Sequence, residues 1–309
     1  MRNSFFDSLY QVAKSDDRLV TLSSDTGALV LDQFREGLPS RCINVGIAEA
    51  NMIGVAAGLA MSGKIVYVYA IIPFVTMRCY EQIRVSVCCQ NLPVKMVGVG
   101  AGVDYSTLGP THHGLEDIAI MRLLPEMTIL SPCDDISAAA LAKISYQIPG
   151  PAYVRLDRSG QPQVYQDNQT DFTHGLNVLR EGKDVCIVST GRIINTALQV
   201  AELLAKASID AGVVDLYRVK PLNVEMLTTT IAQARCVATI EEHSIIGGIG
   251  SAIAEILAEQ EQPRRLMRFG LPDSFCRQYG SRDYLHKLNQ LDANYIATAI
   301  QQKLLVKVR

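Results

Sequence analysis

The chain has 309 residues, 48% of them hydrophobic and 19% charged, and a formal net charge of −2. Near-neutral charge without a Lys/Arg block argues against nucleic acid or an anionic membrane as a partner. No apolar run reaches membrane-span length, the opening Met1-Arg2-Asn3-Ser4-Phe5 leads into a mixed amphipathic segment rather than a signal peptide, and the eight cysteines lack CxxC or His spacing; the expectation is a two-domain cytoplasmic protein with free thiols and no metal ligands of its own.

In chain order, Phe6, Leu9, Tyr10 and Val12 recur at helical spacing and predict a helix over 3–15. Leu19-Val20-Thr21-Leu22-Ser23 reads as a short buried strand. It ends in the turn Ser24-Asp25-Thr26-Gly27, which sets Asp25 at the strand's carboxyl end. Cys42-Ile43-Asn44-Val45 is a second strand and leads into Glu49, the first charge of an otherwise apolar helix stopped by Gly63. A helix without a polar face reads as buried, and Glu49 with it. Burial raises a carboxylate's pKa, while the helix N-terminus lowers it by only about 0.3–1 kcal/mol, so burial is expected to prevail. A glutamate capping its own helix fits the same pattern. Gly54 and Gly58 form a flat ridge that another backbone can approach.

Further strands are predicted at 65–69, 94–99, 127–130 and 152–156, with a helix over 73–90. Near-continuous apolar strands alternating with helices mean a parallel sheet covered on both faces. Ligands of such sheets collect at the strands' carboxyl ends. Residues 1–160 form this first α/β domain, and the polar, turn-rich residues 161–183 read as a linker. A second α/β domain spans 184–309, with strands at 184–190, 209–216 and 236–240, a helix at 193–206, and another opened by Gly247-Gly248-Ile249-Gly250-Ser251.

Neither that glycine cluster nor Gly98-Val99-Gly100-Ala101-Gly102 meets the dinucleotide pattern, and close packing explains both. Walker, HExxH and nucleophile-elbow motifs are absent from the sequence. Leu108-Gly109-Pro110-Thr111-His112-His113-Gly114 is more informative: two histidines in a loop at a strand end lie where sites are built. Two solvated imidazoles on a surface loop are the plainer alternative.

Asn44-Val45-Gly46-Ile47-Ala48-Glu49, Pro73-Phe74-Val75-Thr76-Met77-Arg78-Cys79-Tyr80-Glu81-Gln82, Gly109-Pro110-Thr111-His112, and Glu242-His243 through Gly247-Gly248-Ile249-Gly250 fall in order at compatible spacing. Together they resemble the C-terminal half of transketolases, and the resemblance covers essentially the whole chain. It implies a pyrimidine-binding domain followed by the transketolase C-terminal domain, using thiamine diphosphate and magnesium at a subunit interface.

The resemblance implies a chemical role for Glu49. It hydrogen-bonds the aminopyrimidine N1′ and favours the imino tautomer, whose nitrogen deprotonates the thiazolium carbon that attacks a ketose carbonyl. Phe74, Met77 and Tyr80 match positions, usually aromatic, that surround the pyrimidine; core residues on one helix face fit equally. His112 matches a histidine facing the substrate carbonyl and hydroxyls, Arg158 an arginine that binds a sugar phosphate, and Asp25 an acid near the thiazolium.

Family members hold the diphosphate and Mg²⁺ with a Gly-Asp-Gly segment, and this sequence has none. The resemblance is therefore to the C-terminal subunit of a split transketolase, completed by an N-terminal magnesium-binding subunit, as a heterotetramer of two of each. Leu108 stands where transketolases usually carry Asp, Gly100 where they carry a phosphate-contacting His by ungapped counting, and Leu29 where they carry Ser. A small anionic sugar other than the standard pentose phosphates is the implied substrate. The alternatives are another thiamine-dependent carboligase (resembling deoxyxylulose-phosphate synthases or the β subunits of 2-oxoacid dehydrogenases) and a non-catalytic assembly partner.

Overall fold

The computed structural model describes residues 1–26, 29–158, 160, 162–166 and 170–305. Gly27 of the predicted turn, and Gln161 and Asp167-Asn168-Gln169 of the predicted linker, lie outside the described residues. The strands are β1 Leu19–Ser23, β2 Cys42–Asn44, β3 Ile65–Ile71, β4 Val94–Val99, β5 Thr128–Leu130, β6 Ala152–Leu156, β7 Asn177–Arg180, β8 Val185–Ser189, β9 Ala211–Asp215, β10 Arg218–Lys220, β11 Cys236–Ser244 and β12 Arg265–Leu271. They form a seven-stranded sheet in the order β10-β5-β6-β4-β3-β1-β2 and a five-stranded sheet in the order β12-β11-β8-β9-β7.

Within the first sheet β1 to β6 run parallel, and within the second β8, β9, β11 and β12 do. β1, β4 and β6 are buried along their whole length. That is what near-continuous apolar strands require when helices cover both faces. Phe5, Phe6 and Leu9 of the helix Arg2–Ser15 pack with Tyr67 and Tyr69 on one face, while Met52, Ile53, Ala56 and Ala60 of the helix Glu49–Met61 pack with Val66 and Val68 on the other. Parallel alignment brings the ends of β1, β2, β3, β4 and β6 to one edge.

Several expectations need correction. The helix predicted over 73–90 is broken: a turn of helix at Ile72–Val75, an irregular turn, a short helix at Tyr80–Gln82 and a π-helical stretch at Ile83–Cys88. The Thr76 hydroxyl donates to the Ile72 carbonyl at 2.7 Å, the local competition by which threonine bends helices. The Glu49 helix is not buried all round. Asn51, Gly54, Gly58 and Met61 are exposed, and a Cβ built on either glycine would meet nothing within 4 Å. β7 begins inside the stretch read as linker.

The two domains share structure. β10, from the second half of the chain, pairs antiparallel with β5 and forms the edge of the first sheet. β11 runs on through Glu241-Glu242-His243, all buried, because each charge has partners. Among the described residues no helix is long and apolar enough to cross a membrane, and all eight cysteines are free.

Candidate active site

Glu49 is the first residue of its helix, 3% exposed, and both its oxygens are engaged. The buried Ser24 hydroxyl, just past β1, donates to Oε1 at 3.2 Å. Arg78 Nη1 donates to Oε2 at 2.7 Å. Asn44, ending β2, orders the approach: its side-chain oxygen accepts from the Gly46 N–H at 3.0 Å and its amide donates to Asp25 at 2.9 Å. Gly46 has φ +76, a conformation glycine adopts without cost.

From this pair a ladder of planar groups runs along the edge. The Arg78 guanidinium lies 4.4 Å from the Phe74 ring centroid. Phe74 meets the His112 ring edge-on at 5.2 Å, and His112 meets Tyr105 at 5.9 Å. The Arg158 guanidinium lies 4.5 Å from the Tyr105 centroid and pairs with Asp104 at 3.3 Å. A carboxylate–guanidinium pair thus closes each end, with three aromatic rings between. Cation–π and edge-to-face contacts of this kind contribute on the order of 1 kcal/mol each. They hold polar groups in fixed orientation at an open edge.

His112 is half-buried, and its Nδ1 lies 2.9 Å from the Thr111 hydroxyl. Burial lowers its pKa below the usual imidazole value, which favours the neutral ring at pH 7, able to accept a proton and to donate or accept a hydrogen bond. His113 turns inward and is 2% exposed. Of the predicted pyrimidine contacts, Phe74 joins the ladder, whereas the Tyr80 hydroxyl is committed to the Ile120 carbonyl at 2.8 Å and Met77 is 37% exposed. Leu108 is 47% exposed beside His112's loop. Asp25 is exposed, at φ 55.

The loop carrying His112 is clamped from beneath. Gly102 and Gly114 exchange backbone hydrogen bonds at 3.0 and 2.9 Å. Arg155, deeply buried, donates to the Gly114 carbonyl and, from the second domain, to the Glu242 carbonyl, both at 2.9 Å, while pairing with Asp117 at 2.8 Å. Glu242 accepts from the Val103 N–H at 2.8 Å and from Arg282 at 2.6 Å, and Arg282 also bonds Asp157. Arg282 holds the Glu242 carboxyl far below its usual range despite complete burial. Ser24, Arg78, Asp104, Tyr105, Arg155 and Arg282 escape sequence reasoning. Only Arg78, four residues after Phe74 in the Pro73–Gln82 motif, leaves a signal.

The helix opened by Gly247-Gly248-Ile249-Gly250 has its N-terminus filled from within. Glu241 accepts from the Ile249 and Gly250 N–H groups at 2.7 and 3.0 Å. A Cβ on Gly248 would fall 1.9 Å from that carboxylate. The glycines admit Glu241, not a phosphate. Among the described residues no group of three or more His, Cys, Asp or Glu is placed to hold a metal ion.

Residues 1–163 match the family described as transketolase, pyrimidine binding domain, and residues 175–296 the transketolase, C-terminal domain. The chain is 40% identical over 305 residues to 6-deoxy-6-sulfo-D-fructose transketolase subunit SqwH of Clostridium sp. (strain MSTE9), covering 98% of this chain and 94% of that one. It is 37% identical over 274 residues to a subunit of apulose-4-phosphate transketolase from Phocaeicola vulgatus, covering 88% and 87%. A solved structure described as a split gene transketolase, inactive beta4 tetramer, superposes with a TM-score of 0.91 at 36% identity, over 99% of both chains.

Proposed function

The chain belongs to the transketolase family, and from that premise we propose that it is the C-terminal subunit of a split, thiamine-diphosphate-dependent transketolase acting on a non-standard anionic sugar. One observation carries the reading: a buried glutamate held by Ser24 and Arg78 stands at the sheet edge beside the edge-to-face Phe74–His112 pair. A carboxyl next to an aromatic face suits an aminopyrimidine, which needs both a proton-exchanging acid and a flat apolar neighbour. The bound cofactor supplies the electron sink for a two-carbon ketol unit.

This chain's residues do the rest. Glu49 holds and exchanges a proton through Oε1 or Oε2, and Arg78 must share or release Oε2 for it to do so. Ser24 keeps the carboxyl oriented meanwhile. Neutral His112 presents a ring nitrogen to the substrate's oxygens, and Phe74 fixes the plane of that ring. Asp25, at the end of β1, stands where the thiazolium end is expected, with Phe74, Met77 and Tyr80 about the pyrimidine.

The diphosphate and Mg²⁺ fall to a partner subunit, since no Gly-Asp-Gly occurs here. The relatives are themselves named as single subunits of transketolases, which favours such a partner, in a complex of two of each. Two relatives act, by their names, on apulose 4-phosphate and a sulfo-sugar. Leu108 supports a similar departure here. Eight free thiols fit a reducing cytoplasm.

The test is reconstitution with the magnesium-binding subunit, followed by assay of two-carbon transfer from ketose to aldose. Transfer by the complex, and none by either chain alone, is expected. An active lone chain, or a complex that binds the cofactor and transfers nothing from any ketose, overturns the reading.

A further inference from the structure

We propose that Tyr105 determines substrate specificity: its ring forms the wall of the site's far end, fixes Arg158 for a terminal anion, and limits substrate length. The inference rests on the reading above and adds to it the residue that shapes the recognition of the substrate's distal end.

Three observations place Tyr105 there. Its ring lies edge-on to His112 at 5.9 Å, so it borders the space that histidine serves. The Arg158 guanidinium lies 4.5 Å from its centroid. And the ring sits on Gly100, just past β4: a Cβ there would meet ring carbons at 2.3 and 2.4 Å, and Gly100 is held at φ +93. The space a side chain on that strand end would fill belongs instead to a phenol contributed from five residues on.

Arg158 depends on this wall. Its side chain is 46% exposed, and an exposed arginine is otherwise free to swing. Asp104 takes one edge of the guanidinium, through Nε at 3.3 Å to its carboxylate and Nη2 at 2.9 Å to its backbone carbonyl. The ring takes one face. Among the described residues nothing bonds to Nη1, so that corner remains for a ligand. A planar fork stacked and paired in this way offers a fixed anion contact. Asp104 tempers it, but shares its carboxylate with Arg282 at 3.6 Å, so the arriving anion meets a partly neutralised guanidinium held in fixed geometry. A compact phosphate or sulfonate terminus on a chain short enough to stop at the ring satisfies both constraints. Among the described residues no hydrogen bond ties the phenol hydroxyl elsewhere, and burial raises its pKa, so it stays protonated at neutral pH.

The experiment uses the full chain assembled with its magnesium-binding subunit and compares the parent with Tyr105→Ala, Tyr105→Phe and Arg158→Met. Ribose 5-phosphate and ribose are titrated calorimetrically, in the absence of a ketose donor, so that binding is read independently of turnover. KM and kcat are then measured for three- to six-carbon aldose phosphates. Expected is a roughly tenfold weaker binding of the phosphorylated sugar by Tyr105→Ala, the size of one lost cation–π support, with Tyr105→Phe near the parent and ribose unaffected. Longer aldose phosphates should gain relative to shorter ones in Tyr105→Ala, through KM rather than kcat. Equal weakening for ribose and ribose 5-phosphate, an effect on kcat alone, or an unchanged length profile would overturn the proposal. Discrimination of ribose 5-phosphate from ribose that responds to Tyr105 and Arg158, in a complex lacking ketol transfer, would sustain it while the functional reading fails.

Discussion

Arg78 stands 2.7 Å from Glu49 while its guanidinium covers the ring of Phe74. The contact joins a 3% exposed carboxylate to a side chain 48% exposed, so the buried partner depends on the pair more than the exposed one does. Arg78→Met should destabilise the chain by about 1–3 kcal/mol, the cost of leaving a buried group unsatisfied. In the Glu49→Gln background the same change should cost less, because no buried charge is left behind. Urea denaturation of the four proteins in this cycle measures the coupling; additive effects would show that the pair contributes nothing net.

Glu49→Gln retains size and the Ser24 contact but removes the exchangeable acid. The assembled complex should bind cofactor and lose turnover by on the order of 10²–10⁴, the range for a missing acid–base group. Turnover within threefold of the parent would make Glu49 a structural residue.

The isolated chain should bind thiamine diphosphate weakly at any magnesium concentration and show no activity. Calorimetric titration of the folded chain decides this. Tight magnesium-dependent binding would remove the need for a partner.

Leu108 cannot accept a hydrogen bond, and one to a charged group contributes about 1.5–3 kcal/mol, or roughly 10–100-fold in rate. The complex should therefore use xylulose 5-phosphate with ribose 5-phosphate poorly, and Leu108→Asp should gain activity on them. Ordinary efficiency in the parent would clear Leu108 of any part in specificity.

Asp215 lies at the junction of the domains, wholly buried, accepting from the Tyr165 hydroxyl at 2.8 Å and the Cys133 thiol at 3.4 Å. Burial pushes its pKa up from 3.8 to about 7. Between those values the folded chain binds a proton that the unfolded chain does not, so this group makes stability fall as pH rises. His243, held down at about 4 by burial, acts oppositely below its unfolded value near 6.5, and Glu241, raised to about 7, adds to Asp215. The difference between parent and Asp215→Asn isolates the one group. Parental stability should decline relative to the variant from pH 5 to 7, by up to about 1.4 kcal/mol per unit. Parallel curves would show that Asp215 ionises normally.

The sheet edge is legible because apolar strands alternate with helices in the sequence; Glu49, Phe74 and His112 are singled out by motifs that resemble those of transketolases, not by periodicity. What stays hidden depends on contacts between distant segments. Strand β12 escapes because Arg265 and Arg268 interrupt its apolar run, and the structure explains them as the exposed positions of an edge strand. Sequence reasoning ends β11 at Ile240 because charges usually end a buried strand; the backbone N–H groups that bond Glu241 and the arginine that pairs with Glu242 lie 8 to 40 residues further on. Tyr105 reads as a loop residue, and only the space above Gly100 shows what its ring occupies. The break in the predicted 73–90 helix matters most. The i, i+4 spacing of Phe74 and Arg78 is visible in the sequence, whereas the Thr76 hydroxyl's bond to the Ile72 carbonyl, at the point where the helix breaks, is not.

Strand β10 makes the two halves of the chain a single mechanical unit. A protease cut near residue 170 would separate two sequence domains yet leave β5 with an unpaired edge if the halves came apart, a surface prone to capture another strand. The nicked protein should therefore stay associated and melt in one transition with the intact chain's cooperativity. Attempts to exchange the C-terminal half between relatives will succeed only where the graft carries an Arg218–Lys220 segment compatible with the recipient's Thr128–Leu130.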